Sequence, residues 1–284
     1  MASPANPKSH FHARSVSLPS KPNPLIPQAE DCLRRISSSE AATTSSFSSV
    51  SSMISGLADF YTSVDDSLLL SHTQQALVRE GQDEVLERSL SLLDICSTSK
   101  DVIAQTKETV QELQSMLRRR RGDELALRNE VGAYLVSRKK AKKTIQNCLK
   151  NLKIKSTISS ADQSGVTVVY MLREAEGVAL KTIKSLLTLV HGKSTSCSFF
   201  SKLMHSNRVA ADERVSNSEL EIVDAAVDAL LSHKHGKASN IQTEHVQRVL
   251  AELESHIQDI EEEMERLIRR LIKTRVSLLN ILNH

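Results

Sequence analysis

The sequence predicts an all-α fold: a bundle of long antiparallel amphipathic helices with a coiled-coil-like C-terminal helix, behind a disordered N-terminal leader. Three observations predict it. All six prolines of the 284-residue chain fall at or before Pro27, so 257 residues lack the strongest helix breaker and a favoured turn former. Aromatics are 3% of the chain, tryptophan is absent and glycines number eight, too little turn chemistry for a sandwich or barrel that turns about every 8–12 residues. Apolar residues recur instead in alternating steps of four and three, the period of one helix face.

The elements follow in order. Residues 1–29 hold every proline and no Asp or Glu, and read as an extended or disordered leader. A helical domain over 30–284 follows, in which Gln28–Ile36 can open with a short helix. Residues 37–52 contain eleven Ser or Thr in sixteen positions and read as a low-complexity linker or a poorly formed helix start. Met53, Leu57, Phe60, Val64 and Leu68 then return to helical spacing, with a break at Ser71–His72 and Thr73 as the next cap. A long helix is predicted from Asp83 to Arg121, on the stripe Leu92, Cys96, Ser99, Ile103, Thr106, Val110, Leu113 and Leu117. Gly122 is its natural stop, and the basic last turn suits the helix dipole.

A second long helix starts near Asp123, with Leu127, Val131, Tyr134, Ala141, Ile145, Cys148 and Leu152 on one face. Across a loop at 154–164, a third covers Val166–His191. Residues 192–217 read as an irregular loop with an apolar patch at Phe199, Phe200, Leu203 and Met204. Ser218–His233 is a shorter helix. The last runs from about Ile241, where Val246, Leu250, Leu253, Ile257, Ile260, Met264, Leu267 and Leu271 form an unbroken four-three seam. That seam is covered by the chain's own helices or by a second chain in a homodimer. A second stripe at Ile268, Ile272, Val276 and Leu279 predicts that the helix end is buried on two sides.

Charge is uneven. From Arg118 to Lys155 there are thirteen Lys/Arg against three Asp/Glu, while residues 211–265 hold fourteen acids against four bases, in a chain of net +3. Arg118, Arg119, Arg120, Arg121, Lys139, Lys143, Lys150 and Lys153 are candidates for a phosphate-binding surface in the basic block 118–155, facing anionic membrane lipid or RNA. Tyr134 is its single aromatic, so no base-stacking platform forms and nucleic acid is disfavoured. Alternatively the basic helix packs beside the acidic C-terminal one, or is a solvated face.

No catalytic residues, metal ligands or cofactor-binding motifs stand out. Gly192-Lys193-Ser194 lacks the first glycine and the preceding strand of a phosphate-binding loop. Four cysteines lie about fifty or more residues apart with no C-x-x-C pair, which argues against zinc or a disulfide framework and fits a reducing compartment. His245 and His256 share a helix face and Glu252 precedes His256 by one turn, but no third ligand converges. No apolar run reaches the roughly 18–20 residues of a spanning helix. The cytoplasm fits best, with membrane periphery, plastid and nucleus as alternatives.

The leader carries a more specific pattern. Arg14-Ser15-Val16-Ser17-Leu18-Pro19 has the form R-S-x-S-x-P, which phosphorylation of Ser17 would turn into a 14-3-3 docking peptide. Arg34-Arg35-Ile36-Ser37 offers a second such site at Ser37.

Taken together, Arg14–Ser20, Ser89–Cys96, Leu113-Gln114-Ser115 leading into Arg118–Gly122, Tyr134–Lys140, Ser201–Ser206 and Arg269–His284 resemble the plant BYPASS-related family. The resemblance spans nearly the whole chain. It departs at Asn23, where related chains often have His, and at Ser71-His72, where Leu-Pro-Leu-Thr is more usual. It implies a plant protein associated with root and shoot development through control of a mobile signal, and supplies no catalytic residues. The helical faces and phosphorylatable leader themselves read as those of a non-enzymatic regulatory or adaptor protein.

Overall fold

A computed structural model describes residues 24–40, 46–79, 82–119, 124–158, 167–192, 218–232 and 238–283. They form eight helices: α1 Leu25–Glu40, α2 Phe47–Ser67, α3 Ser71–Arg79, α4 Gln82–Arg119, α5 Glu124–Ile158, α6 Thr167–His191, α7 Glu219–Ser232 and α8 Ala238–Leu282. The fold is all-α, as the periodicity predicts. Arg14, Ser15, Ser17, Pro19, Arg120, Arg121 and the patch Phe199–Met204 lie outside the described residues.

Two early boundaries move. Helix α1 opens at Leu25 inside the expected leader, with Gln28 N–H bonded to Pro24 O at 3.0 Å. Pro27 sits in its first turn, where a missing N–H leaves no bond unmade, so the last proline does not end the leader. The expected linker 37–52 shrinks at both ends, because Ser37–Glu40 belong to α1 and Phe47–Ser52 to α2. Serine content misleads here: Ser46 is the N-cap of α2, its hydroxyl accepting from Ser49 N–H at 3.2 Å. The break before α3 also comes earlier, at Leu68–Leu70, and Thr73 is buried within α3 rather than capping it.

The predicted stripes are the core. Every member of the α4 stripe from Leu92 to Leu117 is buried, Ser99 and Thr106 included. These two hydroxyls donate to the carbonyls of Ile95 and Val102 one turn back, at 2.8 Å each, which satisfies them without a partner helix. All eight seam residues of α8, from Val246 to Leu271, are at most 2% exposed in the single chain. Helices α2, α4 and α7 of the same chain cover them, so the seam is intramolecular.

Polar contacts fix helix directions. Gln111–Glu254 (2.7 Å), Lys107–Glu261 (2.7 Å), Lys100–Glu265 (3.5 Å) and Arg275–Ser89 (2.8 Å) make α4 and α8 antiparallel. Arg266 instead meets Ser55 and Asp59, and the buried Asp65 accepts from Thr274 at 2.6 Å with Lys273 3.3 Å away, so α2 runs parallel to α8. Arg88–Glu176 (2.5 Å) and Arg173–Glu84 (2.7 Å) likewise set α6 parallel to α4. Acids of α8 are therefore met by α4, and its bases Arg266 and Lys273 by the acids of α2. The basic helix α5 packs against α4 and α6 and touches α7, so its expected pairing with the acidic C-terminal helix is replaced by these contacts.

One expectation about burial fails. Ile272 is 49% and Val276 50% exposed, although Ile268 packs on the core. The core face of α8 is already filled by the first stripe, and the second lies one helical step around, at the solvent-facing edge of the α4–α8 surface.

Candidate functional site

Helix α5 shows two different faces. Its inner row steps from Val131 and Tyr134 to Ala141 and Ile145, all buried. The position between them in the four-three rhythm is Arg138, only 4% exposed. A buried guanidinium needs both charge and hydrogen-bond partners. Here it finds Asp224 of α7, through Nη2–Oδ2 at 3.1 Å and Nε–Oδ1 at 3.2 Å, and the carbonyl of Val190 at 2.9 Å. Tyr134 donates to the same Asp224 at 2.8 Å, and Lys142 stands 3.3 Å from it.

This cluster lies where α6 stops and α7 starts. A helix end leaves carbonyls unpaired, and three of them are met here. Gly192 N–H bonds to Thr188 O at 3.1 Å, the Ser218 hydroxyl donates to Leu189 O at 2.8 Å, and Arg138 takes Val190 O. Gly192 has φ 68°, the left-handed conformation that terminates a helix and favours glycine. Ser218 precedes α7, and its N–H donates to the Glu221 carboxylate at 3.0 Å, the return half of a capping box, while its hydroxyl serves α6. The two ends of the 193–217 segment are thereby pinned to one spot.

The electrostatics follow the geometry. Burial alone would raise the Asp224 carboxyl, but the Arg138 hydrogen bonds and charge, with Tyr134 and Lys142, outweigh it and hold the pKa below the ordinary carboxylate value. Burial and the Asp224 charge push the Tyr134 phenol well up. Such a cluster fixes helix ends. Every partner in it is used internally.

The outer face of α5 is the opposite case. Lys139, Lys140, Lys143 and Lys150 are all exposed, and among the described residues none has a carboxylate within 4.0 Å. Val136 stands among them at 70% exposure. Of the sequence candidates, Lys139, Lys143 and Lys150 thus share one strip. Arg118 and Arg119 are exposed at the tip of the α4–α5 hairpin, about 23 Å along the axis from Lys139 at 1.5 Å per residue. They bond within their own helix, to Gln114 (3.1 Å) and Ser115 (3.2 Å). The Lys153 side chain is outside the description. Ser37 is half-buried in α1, not in an extended segment.

Sequence reading missed Arg138 and Asp224 as a unit. The available signal was the basic residue standing at a core position of the α5 row.

Other chemistry is sparse among the described residues. No group of three His, Cys, Asp or Glu is placed to hold a metal. His256 pairs with Glu219 of α7 at 2.5 Å rather than with Glu252. Cys96 is buried, which pushes its thiol up to about 12 and leaves it unreactive near neutral pH. Cys148 is half-buried beside an open groove of about 330 Å3 between α4 and α5. No described helix is long and apolar enough to cross a membrane.

No curated protein and no solved structure matches the chain. The family model described as Protein BPS1 matches residues 53–281, from the middle of α2 to the end of α8. That span includes the seam, both faces of α5 and the Arg138–Asp224 junction, and the chain belongs to the Protein BPS1 family.

Proposed function

We propose that this protein is a non-enzymatic regulatory adaptor of plant root and shoot development. It presents a rigid helical surface to protein partners, and phosphorylation at Ser17 switches its leader into a 14-3-3 docking peptide. The observation that carries the reading is the strip on α5: four exposed lysines, without a carboxylate partner among the described residues, around an exposed Val136, on a helix anchored from behind by Arg138. Exposed lysines flanking an apolar side chain suit an acidic amphipathic partner. Capture from plant tissue tests it, comparing the full chain with a Lys139→Glu, Lys143→Glu, Lys150→Glu variant. Loss of the same partners from the variant supports the strip, and an unchanged partner set refutes it. For the leader, a chain beginning at Pro24 keeps α1 whole, and Ser17→Ala must abolish 14-3-3 recruitment.

A second reading, binding of an anionic membrane surface or RNA by the same strip, draws on Leu125, 69% exposed on the same helix. Juxtamembrane lysines contribute about 1 kcal/mol each, so four support weak, salt-sensitive attachment. Flotation with phosphatidylserine vesicles and RNA gel shifts at two salt concentrations separate it from the first.

A further inference from the structure

The surface shared by α4 and α8 carries an apolar strip that the bundle leaves open. Leu90 is 47%, Ile272 49% and Val276 50% exposed. Their proximity follows from the antiparallel register. Lys100 bridges to Glu265, and Arg275 reaches both Leu86 O and Ser89 Oγ, so Leu90 and Ile272 stand at the same level between these contacts. Leu93 and Ile268 fill the groove beneath them, half-buried against the core.

The charges beside the strip are sorted by side. On the α4 flank, away from α8, stand the exposed acids Glu87 and Asp94. On the α8 flank, toward α2, stand the exposed bases Arg269, which also bonds Glu265 of its own helix, and Lys273, 3.3 Å from the buried Asp65. The helical rotation of about 100° per residue sets this order: Glu87 and Asp94 lie on the outer side of Leu90, and Arg269 and Lys273 on the outer side of Ile272.

We propose that this strip is a self-association surface on which a second copy of the chain docks about a two-fold axis parallel to the helices. An isologous contact must be self-complementary. With the axis along the helices, the α4 flank of one copy faces the α8 flank of the other, and Asp94 comes opposite Arg269 and Glu87 opposite Lys273. With the axis across the helices, acids face acids and bases face bases. The charge pattern therefore selects one of the two face-to-face arrangements and penalises the other. It also names the occupant, because a strip flanked by opposite charges complements itself. The dimer is a weak one: three half-exposed apolar residues make the small patch of a transient interface rather than the larger core of an obligate one. It leaves the intramolecular seam undisturbed, and it is separate from the α5 strip.

Sedimentation equilibrium of the full chain over a range of concentrations tests the proposal. The wild type is expected to shift from monomer toward dimer as concentration rises. Ile272→Lys should weaken association at least about tenfold, the equivalent of 1.4 kcal/mol. Val276→Lys serves as the second variant, with thermal melts showing that both fold. Asp94→Arg and Arg269→Asp should each weaken association alone. An equimolar mixture of those two variants should recover it, because each now supplies the charge the other needs. A wild type that stays monomeric throughout overturns the proposal, leaving the strip to some other partner. So does a dimer indifferent to both Ile272→Lys and Val276→Lys, or a mixture as weak as its components.

Discussion

Arg138 of α5 and Asp224 of α7 form a two-pronged ion pair, at 3.1 and 3.2 Å, with the arginine 4% exposed. The third prong of the guanidinium, on Val190 O, ties the end of α6 into the same joint. Three successive helices, α5, α6 and α7, therefore meet at one side chain.

Removing Asp224 leaves the buried Arg138 without a counter-charge, and removing Arg138 leaves Asp224 with only Lys142 and the Tyr134 hydroxyl. Arg138→Leu should destabilise the protein by about 3–5 kcal/mol. Arg138→Lys should recover little, since one ammonium cannot serve both Asp224 and Val190 O. Urea unfolding of these variants, with the Arg138→Leu/Asp224→Leu double variant closing the cycle, measures the coupling. A double variant much more stable than the sum of the singles is the expected result.

The depressed Asp224 pKa makes a pH prediction. A carboxyl whose folded pKa lies below its unfolded value of about 3.9 contributes stability above that value, and loses it as pH falls through the folded pKa. The stability gap between wild type and Asp224→Asn should be full near neutral pH and narrow progressively below about pH 4. Urea midpoints from acid to neutral pH report it. A gap that widens on acidification contradicts the assignment.

Gly192 is a backbone requirement. A Cβ there would sit 3.3 Å from Glu221 Cγ on a residue with φ 68°. Gly192→Ala should cost about 1–3 kcal/mol, from left-handed backbone strain and the tight contact together. Thermal unfolding of the variant checks it, against Gly132→Ala in the middle of α5. There a Cβ meets nothing within 4 Å and helix propensity favours alanine.

The α8 seam predicts large losses without a change of mass. Leu267, 0% exposed between α8 and its neighbours, should cost about 2–5 kcal/mol on truncation to alanine. The variant's self-association, measured by light scattering while it is still folded, should match the wild type. A change in oligomeric state would mean that the seam serves a second chain.

Capping at α2 is a smaller effect. Ser46→Ala removes the acceptor for Ser49 N–H and should lose about 1 kcal/mol, whereas Ser48→Ala on the exposed face should lose almost nothing. Denaturation midpoints of the pair distinguish a cap from a linker serine.

The helices and their buried rows were legible in the sequence. Local periodicity decides which side of a helix is apolar, and the rows of α4 and α8 needed nothing more, down to Ser99 and Thr106 in core positions. Pro27 and the serines around Ser46 misled because the same residues that break a helix interior also start one. Direction and partnership depend on contacts between distant residues, which periodicity does not carry. Only the tertiary structure therefore decided that α2 runs parallel to α8, that the seam closes on its own chain, and that Ile272 and Val276 stay exposed. The basic block shows the division most clearly. The sequence determined a helix rich in lysine and arginine. Folding decided that Arg138 and Lys142 turn inward to Asp224, where burial demands a counter-charge, while Lys139, Lys143 and Lys150 stay in water and keep their charge available.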